Sequence, residues 1–264
     1  MWNWKTCVSA LCAVLLFVST AEAKANDDQN IYTNSIGMEF ALVPAGSVSL
    51  ERNHDSERKR ARSRGKAAIA DKAFYLGIYE VTQEQWTAVM GAENNPSRFK
   101  GPHHPVEHVS WDEAQEFIRR LNSKEGHERY RLPTEMEWLY ALFSGAEPSY
   151  SSQQEPTTWA AANDFFGDHA WFYKNAEDPT HPVGQKKPNR YGIYDLAGNV
   201  HEWTHSRNTA QAPSNAVPSP KSYQVHSGDR WIYLASYCTL EPGVFRPEDP
   251  VFSRIGLRLV LDPE

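Results

Sequence analysis

The sequence predicts an α+β domain, and three observations carry that prediction: three helix-start signals of one kind, short apolar runs broken by turn residues around them, and enough aromatic side chains for a large core. The helix starts are Thr82 with Gln85, Ser110 with Glu113 and Thr134 with Glu137. In each, a hydroxyl residue caps the amide three positions on, while the Glu or Gln there reaches back to the cap's own amide. Capped helices embedded among short strands and many turns fit an α+β architecture.

Taken in order, the chain opens on MWNWKTCVSALCAVLLFVSTAEAKAND, with Lys5, an apolar run from Val8 to Val18, and Ala21-Glu22-Ala23 before Lys24. That is the pattern of a secretory signal peptide, residues 1 to 23, and the run is short for a membrane span. The expected product is an exported, periplasmic chain of residues 24 to 264 forming one domain, not inserted in the membrane. Of Cys7, Cys12 and Cys238, only Cys238 would survive cleavage, so no internal disulfide can form.

Residues 24 to 36 are polar and read as a loose lead-in. EFALVPAGSVSL, residues 39 to 50, predicts two short strands around Pro44-Ala45-Gly46. Residues 51 to 66 gather Arg52, Arg58, Lys59, Arg60, Arg62, Arg64 and Lys66, either a solvated loop or a docking surface for an acidic partner. FYLGIYEVT, residues 74 to 82, reads as a strand. The first helix runs to Met90, the second buries Ala114, Phe117, Ile118 and Leu121 on one face, and the third opens EMEWLYALFSG. A net charge of −6 argues against general nucleic-acid binding.

His201-Glu202-Trp203-Thr204-His205 has the H-E-x-x-H spacing of a zinc protease. That chemistry needs a helix, on which residues four apart share a face. The flanks oppose one: Gly192, Gly198 and Asn199 lie upstream and several prolines downstream. Two histidines flanking a structural Glu is the alternative.

The segments GMEFALVPAG, YEVTQEQW, HPVEHVSWDEAQEFIRRLN, YRLPTEMEWLYAL, HPVGQKKPNRYGIYDLAGNVHEW and IGLRLV occur in the order seen in the formylglycine-generating enzyme, or sulfatase-modifying-factor, family. The resemblance spans roughly residues 36 to 262. It implies a C-type-lectin-like variant fold, low in regular secondary structure and commonly holding calcium. By resemblance, Asp195 and Glu202 supply carboxylate oxygens to Ca2+, and Gly198 and Val200 supply carbonyls; the alternative is that the two acids merely cap turns. A second family calcium site maps to Asn163 and the carbonyl of Asp164, with Asp168 a weaker match for its later acidic ligand.

Aerobic members of the family work through two cysteines that bind copper. In the matching run GDRWIYLASYC, residues 228 to 238, Cys238 holds the second position and Tyr233 the first. A soft monovalent copper needs both thiolates, and a phenol is protonated and hard near neutral pH. The resemblance therefore implies a pseudoenzyme with Tyr233 and Cys238 as vestigial positions. Exported non-catalytic members include a regulator of type VI secretion, which implies a binding module whose partner is the periplasmic domain of a membrane Ser/Thr kinase. The competing reading is a periplasmic oxidoreductase of altered chemistry, with Arg230, Tyr233 and Cys238 lining the old cleft.

Overall fold

The computed structural model describes residues 31–49, 67–145, 168–171, 180–207, 223–226 and 255–264. The leader, the basic segment 51–66, Asn163, Asp164, Arg230, Tyr233 and Cys238 lie outside the described residues.

All three capping boxes form. Helix α1 (Gln83–Met90) begins where the Gln85 amide donates to Thr82 Oγ1 at 3.3 Å and the Thr82 amide donates to Gln85 Oε1 at 3.0 Å. Helix α2 (Trp111–Glu125) repeats the exchange between Ser110 and Glu113 at 3.2 and 2.8 Å. Helix α3 (Glu135–Gly145) does so between Thr134 and Glu137, also at 3.2 and 2.8 Å. On α2, Ala114, Phe117, Ile118 and Leu121 are all buried, as their spacing requires.

The strands in chain order are β1 (Ile31–Thr33), β2 (Glu39–Val43), β3 (Gly46–Ser49), β4 (Ala67–Ala70), β5 (Phe74–Gly77), β6 (Tyr130–Arg131), β7 (His201–Arg207), β8 (Tyr223–His226), β9 (Ile255–Gly256) and β10 (Val260–Leu261). An antiparallel sheet runs β1-β2-β5-β10-β6, β3 pairs with β4, and β7 lies between β8 and β9. The fold class is α+β, with few and short regular elements among the described residues.

Two expectations need correction. Part of the loose lead-in is a strand, because β1 finds a partner in β2 with Tyr32 opposite Phe40. The strand expected over residues 74 to 82 stops at Gly77. Beyond it the ladder is broken from a distance, since the Gly77 and Ile78 carbonyls accept from the Arg258 guanidinium, each at 3.0 Å.

Strand alternation divides the core between the two faces of the five-stranded sheet. Phe40, Leu259 and Leu261 join Trp86, Phe117, Leu121 and Leu132 on the face covered by α1 and α2. There the Trp86 and Phe117 rings stack with centroids 5.1 Å apart. Ala41, Val43, Phe74, Leu76 and Val260 join Trp138, Leu139 and Tyr140 of α3, with Ala68 and Ala70 of β4, on the other.

Arg131 ties the end of the sheet to α3, donating to Glu137 at 2.7 Å and to Asp262 at 2.8 Å. Burial alone would raise the Glu137 carboxyl, but the bonds from Arg131 and Thr134 hold it below the usual carboxylate range. The stability this joint contributes is complete above the ordinary Glu range and is lost as pH falls through the lowered value. Replacing Arg131 with Ala should therefore flatten the acid limb of a plot of melting temperature against pH.

Candidate functional site

The polar centre of the molecule is built by the turn Tyr191 to Val200, by the start of β7, and by two charged residues from elsewhere in the chain. Asn189 organises the turn's entry: its Oδ1 accepts from the amides of Tyr191 at 3.0 Å and Ile193 at 3.1 Å. Four residues of the turn take positive φ, namely Gly192 at 76°, Asp195 at 56°, Gly198 at 108° and Asn199 at 60°. Asp and Asn tolerate the left-handed region, and Gly198 is required for a second reason. A Cβ there would lie 2.1 Å from the Trp171 carbonyl oxygen.

Beneath the turn, Arg258 is fully buried with every guanidinium nitrogen bonded. Nε donates to Glu202 at 3.0 and 3.1 Å, Nη1 to the Gly77 and Ile78 carbonyls, and Nη2 to the Tyr194 carbonyl at 2.9 Å and Glu202 at 2.8 Å. The Trp138 indole donates to the other side of Glu202 at 2.7 Å. Glu80, also buried, accepts from the Asn199 side chain at 2.7 Å and the Val200 amide at 3.2 Å. Burial first, then the charges of Asp195 and Glu202, push the Glu80 carboxyl well above its usual range. Asp195 is raised too, by burial, although the Gly184 amide donating to Oδ2 at 2.8 Å and the Arg258 charge pull the other way.

Among the predicted ligands, Asp195 fits a cation. Its Oδ1 is buried without a hydrogen-bond partner, an unmet oxygen on the turn that also carries Gly198 and Val200. Glu202 does not fit in the same way, because Arg258 and Trp138 already engage both of its oxygens. Among the described residues no three His, Cys, Asp or Glu side chains converge as a metal group. Calcium, which readily takes carbonyl and water oxygens, needs fewer side chains than a transition metal. Asp168, the weaker match at the second site, is exposed and paired with Lys187 at 2.6 Å.

The H-E-x-x-H spacing lies on β7, not on a helix. Four residues along a strand span roughly 13 Å, so His201 and His205 cannot share one zinc. His201 is buried and His205 exposed, while Glu202 turns to Arg258.

The sequence reading missed Glu80 and Arg258. Each is a charge inside an apolar run, FYLGIYEVT and IGLRLV, and that interruption is the signal that finds both.

The sulfatase-modifying factor enzyme 1-like domain matches this chain over residues 29–263. The chain belongs to that family. It is 34% identical over 257 residues to the chaperone protein LppX of Paenibacillus barcinonensis, covering 80% of this chain and 85% of the relative. The formylglycine-generating enzyme of Mycobacterium tuberculosis (strain ATCC 25618 / H37Rv) is 29% identical over 180 residues, covering 61% of this chain and 58% of that enzyme. Other similar chains include the serine/threonine-protein kinase pkn1 of Chlamydia pneumoniae, 31% identical over 246 residues that cover 81% of this chain and 35% of the kinase. The chain thus spans only part of the enzymes and the kinase it matches. Among solved structures, Treponema denticola variable protein 1 superposes with a TM-score of 0.64 at 28% identity, covering 88% of this chain and 98% of that one. PvdO from Pseudomonas aeruginosa superposes with a TM-score of 0.62 at 21% identity over 88% of this chain and 98% of that one, a likeness of fold. The family therefore contains enzymes and, by their names, a chaperone and a kinase on related domains.

Proposed function

We propose that this family member is an exported pseudoenzyme that acts as a binding and regulatory module, promoting a membrane Ser/Thr kinase, of the type that signals in type VI secretion, through the kinase's periplasmic domain. What supports the reading is the resemblance of GDRWIYLASYC to the family's cysteine segment, which sets Tyr233 against the first cysteine and would leave Cys238 without a second thiolate for copper. The similarity to a chain named as a kinase supports the class of partner, and the similarity to a chain named as a chaperone supports a role exercised through binding.

The test is co-purification of the tagged mature protein with a membrane kinase's periplasmic domain, alongside a copper-loaded assay on a cysteine peptide. The complex should form, Cys238→Ser should leave it intact, and the peptide should stay unoxidised. Formylglycine or another oxidised product that disappears with Cys238→Ser would sink the proposal and favour an oxidoreductase.

Calcium belongs to the same reading as a structural ion. Asp195 Oδ1 and the carbonyls of Gly198 and Val200 would hold it, and its charge would stiffen a turn that carries four residues at positive φ. Removing calcium with a chelator should lower the melting temperature, and Asp195→Ala should abolish that difference. An unmodified protein that melts identically in calcium and in chelator would end the calcium reading.

A further inference from the structure

The carboxylates of Glu80, Asp195 and Glu202 interact electrostatically with one another and with a single buried guanidinium, that of Arg258. Arg258 is committed to Glu202 by three hydrogen bonds, so the pair is internally balanced. Glu80 and Asp195, each at most 2% exposed, accept hydrogen bonds from neutral groups alone, so burial pushes both carboxyls toward the neutral form unless a cation joins them. His181 is the other group that acts on Asp195 with the opposite sign. Buried charge of one sign is costly unless something of opposite sign shares the space. The unpartnered Asp195 Oδ1 marks where that something would sit.

Glu80 approaches this place from below. Its two oxygens accept from Asn199 Nδ2 and from the Val200 amide, so the carboxylate is fixed against the underside of the very turn that carries Asp195 and the carbonyls of Gly198 and Val200. Asn199 is itself clamped, accepting from the His181 amide at 2.9 Å and donating to the His181 carbonyl at 3.2 Å. The Glu80 charge therefore cannot swing away to solvent.

We propose that Glu80 is the second charge of the cation site: fixed against the turn that carries Asp195, it matches the charge of the buried centre to a divalent ion. This rests on the calcium reading of Asp195. A monovalent ion would leave one charge unbalanced, whereas a divalent ion neutralises the Glu80 and Asp195 pair. On this assignment Glu80 is a positioning residue whose charge, as well as its hydrogen bonds, matters for binding.

Glu80→Gln removes the charge and keeps an acceptor for the Val200 amide, but turns its NH2 onto the Asn199 NH2, so it is read beside a double variant that also carries Asn199→Asp and restores a donor–acceptor pair there. Thermal melts of the mature protein and of both variants, in chelator and across a calcium chloride titration with sodium chloride as control, give the readout. In chelator the single variant should melt lower, since the bond from Asn199 is lost, and the gain on adding calcium is the reading that decides. The single variant's apparent calcium affinity should fall by about tenfold or more. Adding Asn199→Asp to Glu80→Gln moves the charge across their shared hydrogen bond and should restore the calcium gain.

A purely structural Glu80 would leave the gain from calcium unchanged in the single variant, whatever its stability in chelator. That result overturns the proposal while leaving calcium at Asp195 standing. No calcium response in the unmodified protein removes both.

Discussion

Replacing Arg258 with Ala should destabilise the protein by roughly 3–5 kcal/mol, the usual cost of stripping one partner from a buried ion pair. The guanidinium is inaccessible to solvent and donates to Glu202 and to the carbonyls of Gly77, Ile78 and Tyr194. Truncation leaves a buried carboxylate without its counter-charge and three carbonyls without their donor. Lysine should rescue little, because an ammonium offers three donors from one point, whereas these acceptors surround a planar fork. In urea or thermal unfolding the loss should read as a fall of roughly 10 °C in melting temperature.

A double-mutant cycle sharpens this expectation. Glu202→Gln alone removes the charge that Arg258 neutralises and should be strongly destabilising; the two changes together should cost much less than their sum. Glu202 also bears on calcium. Because Arg258 and Trp138 hold its oxygens, Glu202→Ala should lower the melting temperature by a similar amount in calcium and in chelator. A loss confined to the calcium arm would instead place the ion on Glu202 and require Arg258 to give way.

What the sequence made legible follows the range of the interactions. The three capping boxes were readable because cap and partner stand three residues apart, and each forms with both bonds in place. The buried face of α2 was equally local. The strand after Phe74 was overestimated because its end is set by Arg258, 181 residues away, and β1 was missed because its pairing with β2, not its composition, makes it a strand. At the site, family resemblance marked Asp195, Gly198, Val200 and Glu202 on one turn. It did not reveal that Glu202 is spent on Arg258, 56 residues on, or that Glu80, 120 residues before Val200, supports the turn from beneath.

Gly198→Ala should be the second severe change, costing about 3 kcal/mol or more. Two penalties coincide there. The residue sits at φ 108°, outside the conformations an alanine adopts readily, and the new Cβ would meet the Trp171 oxygen at 2.1 Å and its nitrogen at 2.7 Å. Both obstacles are backbone atoms, so no side chain can turn aside to relieve them. Trp171 is also constrained, with its ring stacked on His181 at 3.7 Å and the Lys186 ammonium 4.1 Å from its centroid. The turn must therefore open, breaking the bond from the Asn199 amide to the Trp171 carbonyl at 3.1 Å and displacing Asp195 and Glu80 from each other. Gly192→Ala is the control: φ is 76°, but nothing lies within 4 Å of the new Cβ, so only the conformational cost of about 1–2 kcal/mol applies. Equal losses for the two variants would show that the close passage of residues 171 and 198 does not shape the site. A large loss at Gly198 alone, with the calcium gain gone, would tie the cation site to that contact between two chain segments.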